Sequence, residues 1–496
     1  MDNKKEYRGI VKGTAVFGGV QVFTIIISIL RGKFIAVFLG PAGMGVSALL
    51  SATINTISQL SSLGLNMGAM RDISMANTDG DIKKLSLIAK IFRRLVLITG
   101  ILGALISISG SRWLSRIAFG TTEYTLAFVI LGAMLFFSAL GSGETALLQG
   151  TRHLKSLAKT SLIGSSVGLI IGVPLYIFFG TQGIAPAMVV LALTVFLSNK
   201  YFAGKINLVS AYVTSKDTLK YAKSMIQLGV VLTAGQLLGT FSIYLINWFI
   251  RFYGSIDDVG LYQAASSITT QYIGFVFSAM AVDYFPRLAA VSNDNMLVSR
   301  MANQQAEIVL LVSTPIIIAL LATAPLVIRI LLSEEFMIVI PVLRWMGFAL
   351  FFRAALFPLG YISFAKGDKK TFFWLEGIFG NIIMVFCSLV GYYFLGLLGL
   401  GIAMLGSTFI GFIIVSVVVH KKYQFKFDIK FIQLFAILLA FCLSAFILSF
   451  FITDYLQYGM VSGLILIFSG WYCFRELNKR VNIMELLKNK FKRQGV

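Results

Sequence analysis

LGLGIAMLGSTFIGFIIVSVVV, residues 398–419, is an uncharged run of 22 residues, and HKKYQFKFDIK, residues 420–430, follows it with four lysines. A helix needs about 20 mostly apolar residues to cross the hydrocarbon core of a bilayer. The first stretch therefore reads as a transmembrane span and the second as the loop that leaves the membrane after it. Working outward, the same pattern recurs along the chain. Spans fall near 14–30, 43–63, 93–112, 124–146, 159–179, 183–203, 226–249, 259–282, 308–332, 341–364, 371–394, 398–419, 430–451 and 455–474. The expected fold is an all-α polytopic membrane protein with about 14 transmembrane helices.

The basic residues orient it. The N-terminus, the gaps after spans 2, 4, 6, 8, 10 and 12, and the C-terminal tail hold or abut 34 of the 42 Lys and Arg. Lys and Arg accumulate on the cytoplasmic side of a membrane, so both termini are expected to be cytoplasmic. The start, MDNKKEYRGIVKG, is basic and precedes an apolar run, but that run is too long for a signal-peptide core and no cleavage pattern follows it. It is expected to be an uncleaved first span.

Composition narrows the function. Hydrophobic residues make up 57% and charged residues 13% of the chain, against about 25% charged in soluble domains, and the mean hydropathy is +0.86. A net charge of +21 would suit a nucleic-acid binder. Here the cations sit in juxtamembrane loops, so anionic membrane lipids are the expected partner and nucleic acid is not. Cys387, Cys442 and Cys473 lie in apolar spans with no disulfide or zinc spacing, and His153 and His420 lie in loops. No catalytic group, metal site or cofactor is expected, apart from a coupling H⁺ or Na⁺. The gaps near 64–92 and 204–225 read as short basic amphipathic cytoplasmic segments. The tail 475–496 reads either as an amphipathic helix on the inner membrane surface or as a frayed solvated end.

An internal repeat is visible. Gly45 and Gly260 open spans 2 and 8 and are 215 positions apart; Gly150 and Gly367 follow spans 4 and 10 at an offset of 217; Gly183 and Gly401 begin spans 6 and 12 at an offset of 218. This predicts a six-helix half over 1–210 and a second over 211–425 in parallel pseudo-twofold repeat. Two additional transmembrane helices over 426–474 and the basic tail 475–496 lie outside it. Parallel repeats are one of the transporter architectures, with substrate bound between the halves.

Lys33-Phe34-Ile35-Ala36 followed by Leu39-Gly40-Pro41-Ala42-Gly43-Met44-Gly45 is similar to the first loop of bacterial polysaccharide flippases. These form the O-antigen translocase branch of the multidrug/oligosaccharidyl-lipid/polysaccharide exporter superfamily. Asp258-Val259-Gly260-Leu261-Tyr262-Gln263-Ala264, Phe285-Pro286-Arg287-Leu288 and Gly360-Tyr361 to Ala365-Lys366 extend the resemblance over about residues 10–425. It implies export of a lipid-linked oligosaccharide from the inner to the outer leaflet of a bacterial cytoplasmic membrane by alternating access. A polysaccharide polymerase and other assembly proteins are the implied partners. The alternatives are a multidrug or cation antiporter of the same superfamily, or a membrane enzyme acting on lipid-linked sugars.

Arg353 is the sharpest functional signal. It lies twelve residues past Pro341, about 18 Å along a helix, where an isolated Arg costs about 2.5–3.5 kcal/mol on insertion scales. It serves either as a cation for the substrate's pyrophosphate, whose oxygens suit the guanidinium fork, or as half of a structural ion pair with Glu144 or Glu376. In the resembled family a basic residue commonly occurs at this point of span 10. Arg31 and Lys33 end span 1 and Arg251 ends span 7, all on the outer side; they attract an anionic headgroup or snorkel to the interface. Asn55, Gln59 and Ser62 share one face of span 2, and Gln263, Ser267, Thr270 and Gln271 one face of span 8. These faces line a cavity for sugar hydroxyls or bond between helices. The expected binding cleft lies between spans 1, 2, 7 and 8. Glu144, Asp283 and Glu376 are the candidate ion-coupling carboxylates, with simple solvation as the alternative. Gly164, Gly168 and Gly172 form a small-residue packing ridge on span 5.

Overall fold

The computed structural model describes residues 2–481 apart from 211 and 453, with side chains described between 23 and 480 except at positions within 215–234 and 272–283. Every element among these residues is helical. They are α1 (Asp2–Ser62), α2 (Leu65–Thr78), α3 (Ile82–Ser109), α4 (Ser111–Phe119), α5 (Thr125–Gly150), α6 (Leu154–Phe179), α7 (Ile184–Ala203), α8 (Ser215–Tyr253), α9 (Ile256–Ala290), α10 (Asn295–Leu331), α11 (Ile340–Ala365), α12 (Lys369–Phe372), α13 (Gly380–Tyr423), α14 (Ile429–Phe451) and α15 (Tyr455–Val481). A π-helical stretch, Phe373–Phe379, joins α12 to α13.

Among the described residues nine helical stretches are long and apolar enough to cross a membrane, and three of them, Phe23–Ser62, Leu154–Ala203 and Lys369–Tyr423, run for 40, 50 and 55 residues. Each of the three is two crossings that meet at a tight turn. The turn in α1 is Gly40 with φ 64°, and that in α13 is Gly396 with φ 57°. A left-handed backbone costs glycine nothing and other residues dearly, so one residue does the work of a loop. The turn between α6 and α7 is the 3₁₀ stretch Gly180–Gly183. With α8 and α9, of 39 and 35 residues, the described helices supply fourteen crossings.

Three boundaries differ from expectation. Span 1 does not end near 30: helix α1 continues to the Gly40 turn, so Arg31 and Lys33 lie on the helix instead of in a loop. Helix α3 starts at Ile82, where the Asp81 side chain accepts from the Lys84 amide at 2.9 Å, well before the apolar run at 93. The gap after span 3 holds a further helix, α4. In each case backbone hydrogen bonding continues past the apolar stretch, because hydropathy marks the membrane slab while capping residues mark helix ends. The 64–92 gap carries α2. Of the 475–496 tail, residues beyond 481 lie outside the described residues.

The chain forms two compact units: 1–260 with 331–333, and 261–330 with 334–496. In the first, α2, α3 and α5 close over a core that includes Ile73, Ile88, Phe92 and Leu148. The glycine ridge of α6 receives α7: a Cβ on Gly164 or Gly168 would come within 2.5 Å of Val195 or Leu191. Also in this unit, Gly45 packs against the Ile256 carbonyl and Gly260 against the Pro41 carbonyl so closely that a Cβ on either would collide. Residues 41 and 256, like 45 and 260, are 215 apart, so the two contacts exchange under the repeat offset, as contacts across a local twofold axis do. In the second unit the core gathers Tyr284, Leu288, Val298, Leu359, Ile362, Val415 and Val419, with α10 and α11 its most enclosed spans. Outward residues such as Ile170, Phe178, Phe451 and Leu456 are exposed and apolar, as lipid-facing surfaces are.

Candidate functional site

Helix α11 is enclosed along most of its length: Phe351, Phe352, Ala354 and Ala355 are all buried. Arg353, between them, is exposed. Among the described residues its guanidinium makes no hydrogen bond or ion pair, and the one carboxylate whose charge bears on it is Glu376. Glu376 sits in the π-helical stretch, also exposed. A π-turn widens the helix and releases backbone carbonyls; here Asn381 Nδ2 donates to the Gly377 carbonyl at 2.8 Å and the Glu376 carbonyl at 3.3 Å. The Glu376 side chain lies against α11 at Gly360, where a Cβ would come within 2.7 Å of Oε1. Arg353 and Glu376 thus lie in each other's field without bonding. A guanidinium held this way keeps its fork free for a two-oxygen anion.

The alternative pairing of Arg353 with Glu144 does not form, because Glu144 is taken. It is 6% exposed, and both its oxygens are held by the fork of Arg93, Nε to Oε1 at 2.8 Å and Nη2 to Oε2 at 2.7 Å. This pair locks α3 to α5. Arg93 stands at the first position of the expected span 93–112 and is assigned no role there; helix α3 starts eleven residues before that run, which places Arg93 within the helix, facing α5. Asp283 lies in α9 with its side chain outside the described residues.

Of the cations expected on the outer side, Lys33 and Arg31 are half-buried on α1, with the Arg31 charge acting on Tyr176 of α6. Arg251 is committed elsewhere: its Nη2 donates to the Phe119 carbonyl, the last of α4, and its guanidinium packs over Gly120, the left-handed C-cap of that helix. A cation at a helix C-terminus satisfies orphan carbonyls and the dipole. On the polar faces, Asn55 and Thr270 are exposed and Gln263 is half-buried, while Ile54 and Ile268 are 1% and 6% exposed. Gln59 donates Nε2 to Thr240 Oγ1 of α8 at 2.7 Å.

Two features escaped the sequence. Arg344, one turn into α11, is 8% exposed. Its guanidinium lies over the Tyr458 ring at 4.2 Å and Nη1 donates to the Ser449 carbonyl at 3.4 Å, which pins α11 to α14 and α15; among the described residues Nε and Nη2 have no partner. The second is a clamp behind α11. Asp368 accepts from Lys422 at 2.5 Å, from the Thr371 amide at 3.1 Å and from the Tyr423 hydroxyl at 2.9 Å. The Lys422 ammonium beside it holds its carboxyl well below the ordinary range. Lys366 donates to the Ser292 carbonyl at 2.6 Å and to Asn295 Oδ1 at 2.7 Å. The stretch Lys366–Lys369 is therefore a loop fastener.

Comparison with known proteins places this architecture. The family described as "Polysaccharide biosynthesis protein" matches residues 34–341. The lipid III flippase of Escherichia coli K12 is 22% identical over 364 residues, covering 72% of this chain and 86% of that protein. Among solved structures, the lipid II flippase MurJ in an inward closed conformation superposes with a TM-score of 0.68 at 16% identity, covering 94% of this chain and 99% of that one. An inward-facing multidrug resistance MATE transporter of the MOP superfamily gives 0.68 at 17% identity, covering 81% and 94%.

Proposed function

The chain belongs to the polysaccharide biosynthesis protein family, matched over residues 34–341, and from that premise we propose that it is a flippase for an undecaprenyl-pyrophosphate-linked oligosaccharide. The cargo is the unit of an O-antigen or similar surface polysaccharide. It moves from the inner to the outer leaflet of the bacterial cytoplasmic membrane by alternating access, with both termini cytoplasmic. The protein acts as a transporter and not as an enzyme, upstream of a polymerase. The lipid III flippase relative, 22% identical, supports a lipid-linked cargo.

The observation that carries the reading is Arg353. A cation at mid-span that is exposed, unbonded among the described residues and flanked by buried residues on its helix is costly unless something anionic visits it. A diphosphate does. Fixed charge in a low-dielectric setting compensates the loss of water around a phosphate far better than surface charge does. Glu376, within its field, balances Arg353 between visits and is the first candidate for a coupling H⁺ or Na⁺. Lys33 and Arg31 extend the same chemistry to α1.

The test is flipping of a fluorescent undecaprenyl-pyrophosphate oligosaccharide in proteoliposomes. Arg353→Ala is expected to abolish flipping while membrane abundance stays near normal, and Arg353→Lys to keep part of it, since a point charge replaces the fork. Full activity of Arg353→Ala would refute the diphosphate role. Efflux of a cationic drug, with no lipid flipped, would instead support the multidrug antiporter that the MATE likeness suggests.

A further inference from the structure

Helix α5 ends at Gly150, and α2 packs against it so closely that a Cβ on Gly150 would come within 2.5 Å of Ile73. The chain then turns sharply into α6. Four backbone hydrogen bonds make the turn: the amides of Thr151, Arg152, His153 and Leu154 donate to the carbonyls of Leu147, Gln149, Leu148 and Arg152. The turn from α11 into α12 makes the same four. There the amides of Lys366, Gly367, Asp368 and Lys369 donate to Ile362, Phe364, Ser363 and Gly367, each 215 positions on. This pairing matches Gly367 with Arg152, and both are left-handed, with φ 68° and 59°. Such a backbone suits glycine and is disfavoured for a residue with a Cβ. Arginine thus stands in the first turn under a strain that its counterpart avoids. Among the described residues no bond of its exposed side chain offsets that strain.

Beside this turn lies a pocket of about 500 Å³, wholly within the first unit, between α2 and the end of α5. Arg152 and Gln149 line it from the turn, and Arg71, Ser74 and Thr78 from one face of α2. Like Arg152, Arg71 is exposed and makes no hydrogen bond or ion pair among the described residues. Two like charges therefore share one pocket without a bonded counterion. The carboxylate on the wall, Asp79, is paired with Lys84 at 3.5 Å; Asp72 follows Arg71 in sequence but does not line the pocket. Thr78 donates its proton to the Ser74 carbonyl at 2.9 Å and presents lone pairs alone. The Ser74 hydroxyl and the Gln149 amide are uncommitted donors among the described residues. Two guanidiniums and these donors outweigh the lone pairs of one hydroxyl.

A wall of this kind receives an anion whose oxygens can meet two guanidinium forks at once, as those of a phosphate do. A metal ion is repelled. The remaining surface is apolar: Met70 and Met75 line the pocket, Met75 is 49% exposed, and Ile82 and Leu154, just past its two rims in sequence, are 54% and 38% exposed. A free phosphate leaves that surface in water, whereas the glycerol and first chain carbons of a phospholipid cover it. The volume lies in the range of small-molecule sites, about 300–1,000 Å³, more than an inorganic phosphate fills. We propose that this pocket binds the phosphate of an anionic membrane phospholipid, at a site separate from Arg353 and its cargo. The cationic headgroup of a zwitterionic lipid meets the same two guanidiniums with repulsion. The pocket follows spans 2 and 4, so the proposed topology puts it at the inner leaflet, where basic pockets meet anionic lipids. Only the choice of leaflet rests on that topology.

The full-length chain is reconstituted in nanodiscs of phosphatidylcholine, alone or with about one third phosphatidylglycerol. Labelling of Ser74→Cys by an uncharged, water-soluble maleimide is followed by peptide mass spectrometry, with Met296→Cys, at a position 80% exposed, as the reference. Phosphatidylglycerol is expected to slow labelling of Ser74→Cys at least fivefold relative to the reference, and to raise the thermal midpoint of the parent chain. Arg152→Gly suits the left-handed turn, so it is expected to melt no lower than the parent in phosphatidylcholine and yet to lose both effects. Arg71→Gln is expected to lose them too. Inorganic phosphate at millimolar concentration is expected to change labelling less than twofold. Equal protection by inorganic phosphate would make this a site for free anions, and stronger protection by geranyl pyrophosphate would make it part of the cargo path. Protection that survives both arginine substitutions would be an effect of surface charge. No protection, or a position that never reacts, would leave no lipid site. Each of these results overturns the proposal. Arg353→Ala should leave the protection intact, so a failure of the flippase reading and a failure of this site are told apart.

Discussion

At the scale of single residues, several charged groups are bonded pairs that hold helices together, and Arg353 is unbonded among the described residues. Glu144 and Arg93 are one such pair. Removing one member of a buried pair leaves the other uncompensated, a loss of about 3–5 kcal/mol when both are buried; Arg93 is 41% exposed on its side chain, so solvent softens the penalty. Glu144→Ala is expected to lower membrane abundance several-fold by immunoblot, and the Arg93→Ala, Glu144→Ala double variant to recover part of it. Recovery would show that the pair acts on folding, and flipping by the double variant would then show that Glu144 is not needed for coupling. Asp368 gives a pH signature. Its folded-state pKa is lowered from the ordinary 3.8, chiefly by Lys422. Its stabilising contribution is therefore complete above that value and drains as pH falls below it. Asp368→Asn should melt at a lower temperature than the parent chain at neutral pH, and the gap should narrow as pH drops from about 4 towards 2. A gap that stays constant with pH would mean the clamp works through shape and not charge. Arg353, free of such bonds among the described residues, is the group that the proposed function assigns to the diphosphate.

Helices raise a different question, namely how closely they approach. The α6 ridge works because Gly164 and Gly168 leave room for Val195 and Leu191 of α7. Lipid tails are as apolar as leucine, so close backbone packing rather than hydrophobicity drives such pairs. Gly168→Leu should overpack the seam at about 1–3 kcal/mol and lower the thermal midpoint in detergent. The same change at Gly406, where a Cβ meets nothing within 4 Å, should leave it near that of the parent. Equal effects at both positions would show that the ridge is not a packing seam. The π-helical stretch is the element-level counterpart at the candidate site: its wider turn sets Glu376 against Gly360, and a regular α-helix would rotate the carboxylate away.

For the whole molecule, the charge alternation makes a topological prediction. Reporter fusions near Asp454, between α14 and α15, should lie on the side opposite the termini, as periplasmic fusions do; a cytoplasmic signal there would remove α14 and α15 as a pair of crossings. The reciprocal contacts of Gly45 with Ile256 and Gly260 with Pro41 support the proposal that residues 10–205 and 220–425 are repeats of one six-helix plan.

What the sequence determined alone was whatever depends on composition along the chain. A membrane slab reads hydropathy over about 20 residues and charge at the flanks, both local quantities, so the helical class, the crossings and the glycine ridge were legible without coordinates. The family resemblance was legible for the same reason, carried by short motifs at tight turns such as Gly40–Pro41. Tertiary structure decided which charges meet. Arg93 finds Glu144 51 positions away, Arg251 finds Phe119 132 away, and Arg71 of α2 shares a pocket with Arg152, beyond α5. Partners so distant in sequence are set by helix rotation and packing. A rotation of one residue, about 100° on a helix of 3.6 residues per turn, turns a ligand-facing cation into a structural one while leaving hydropathy unchanged.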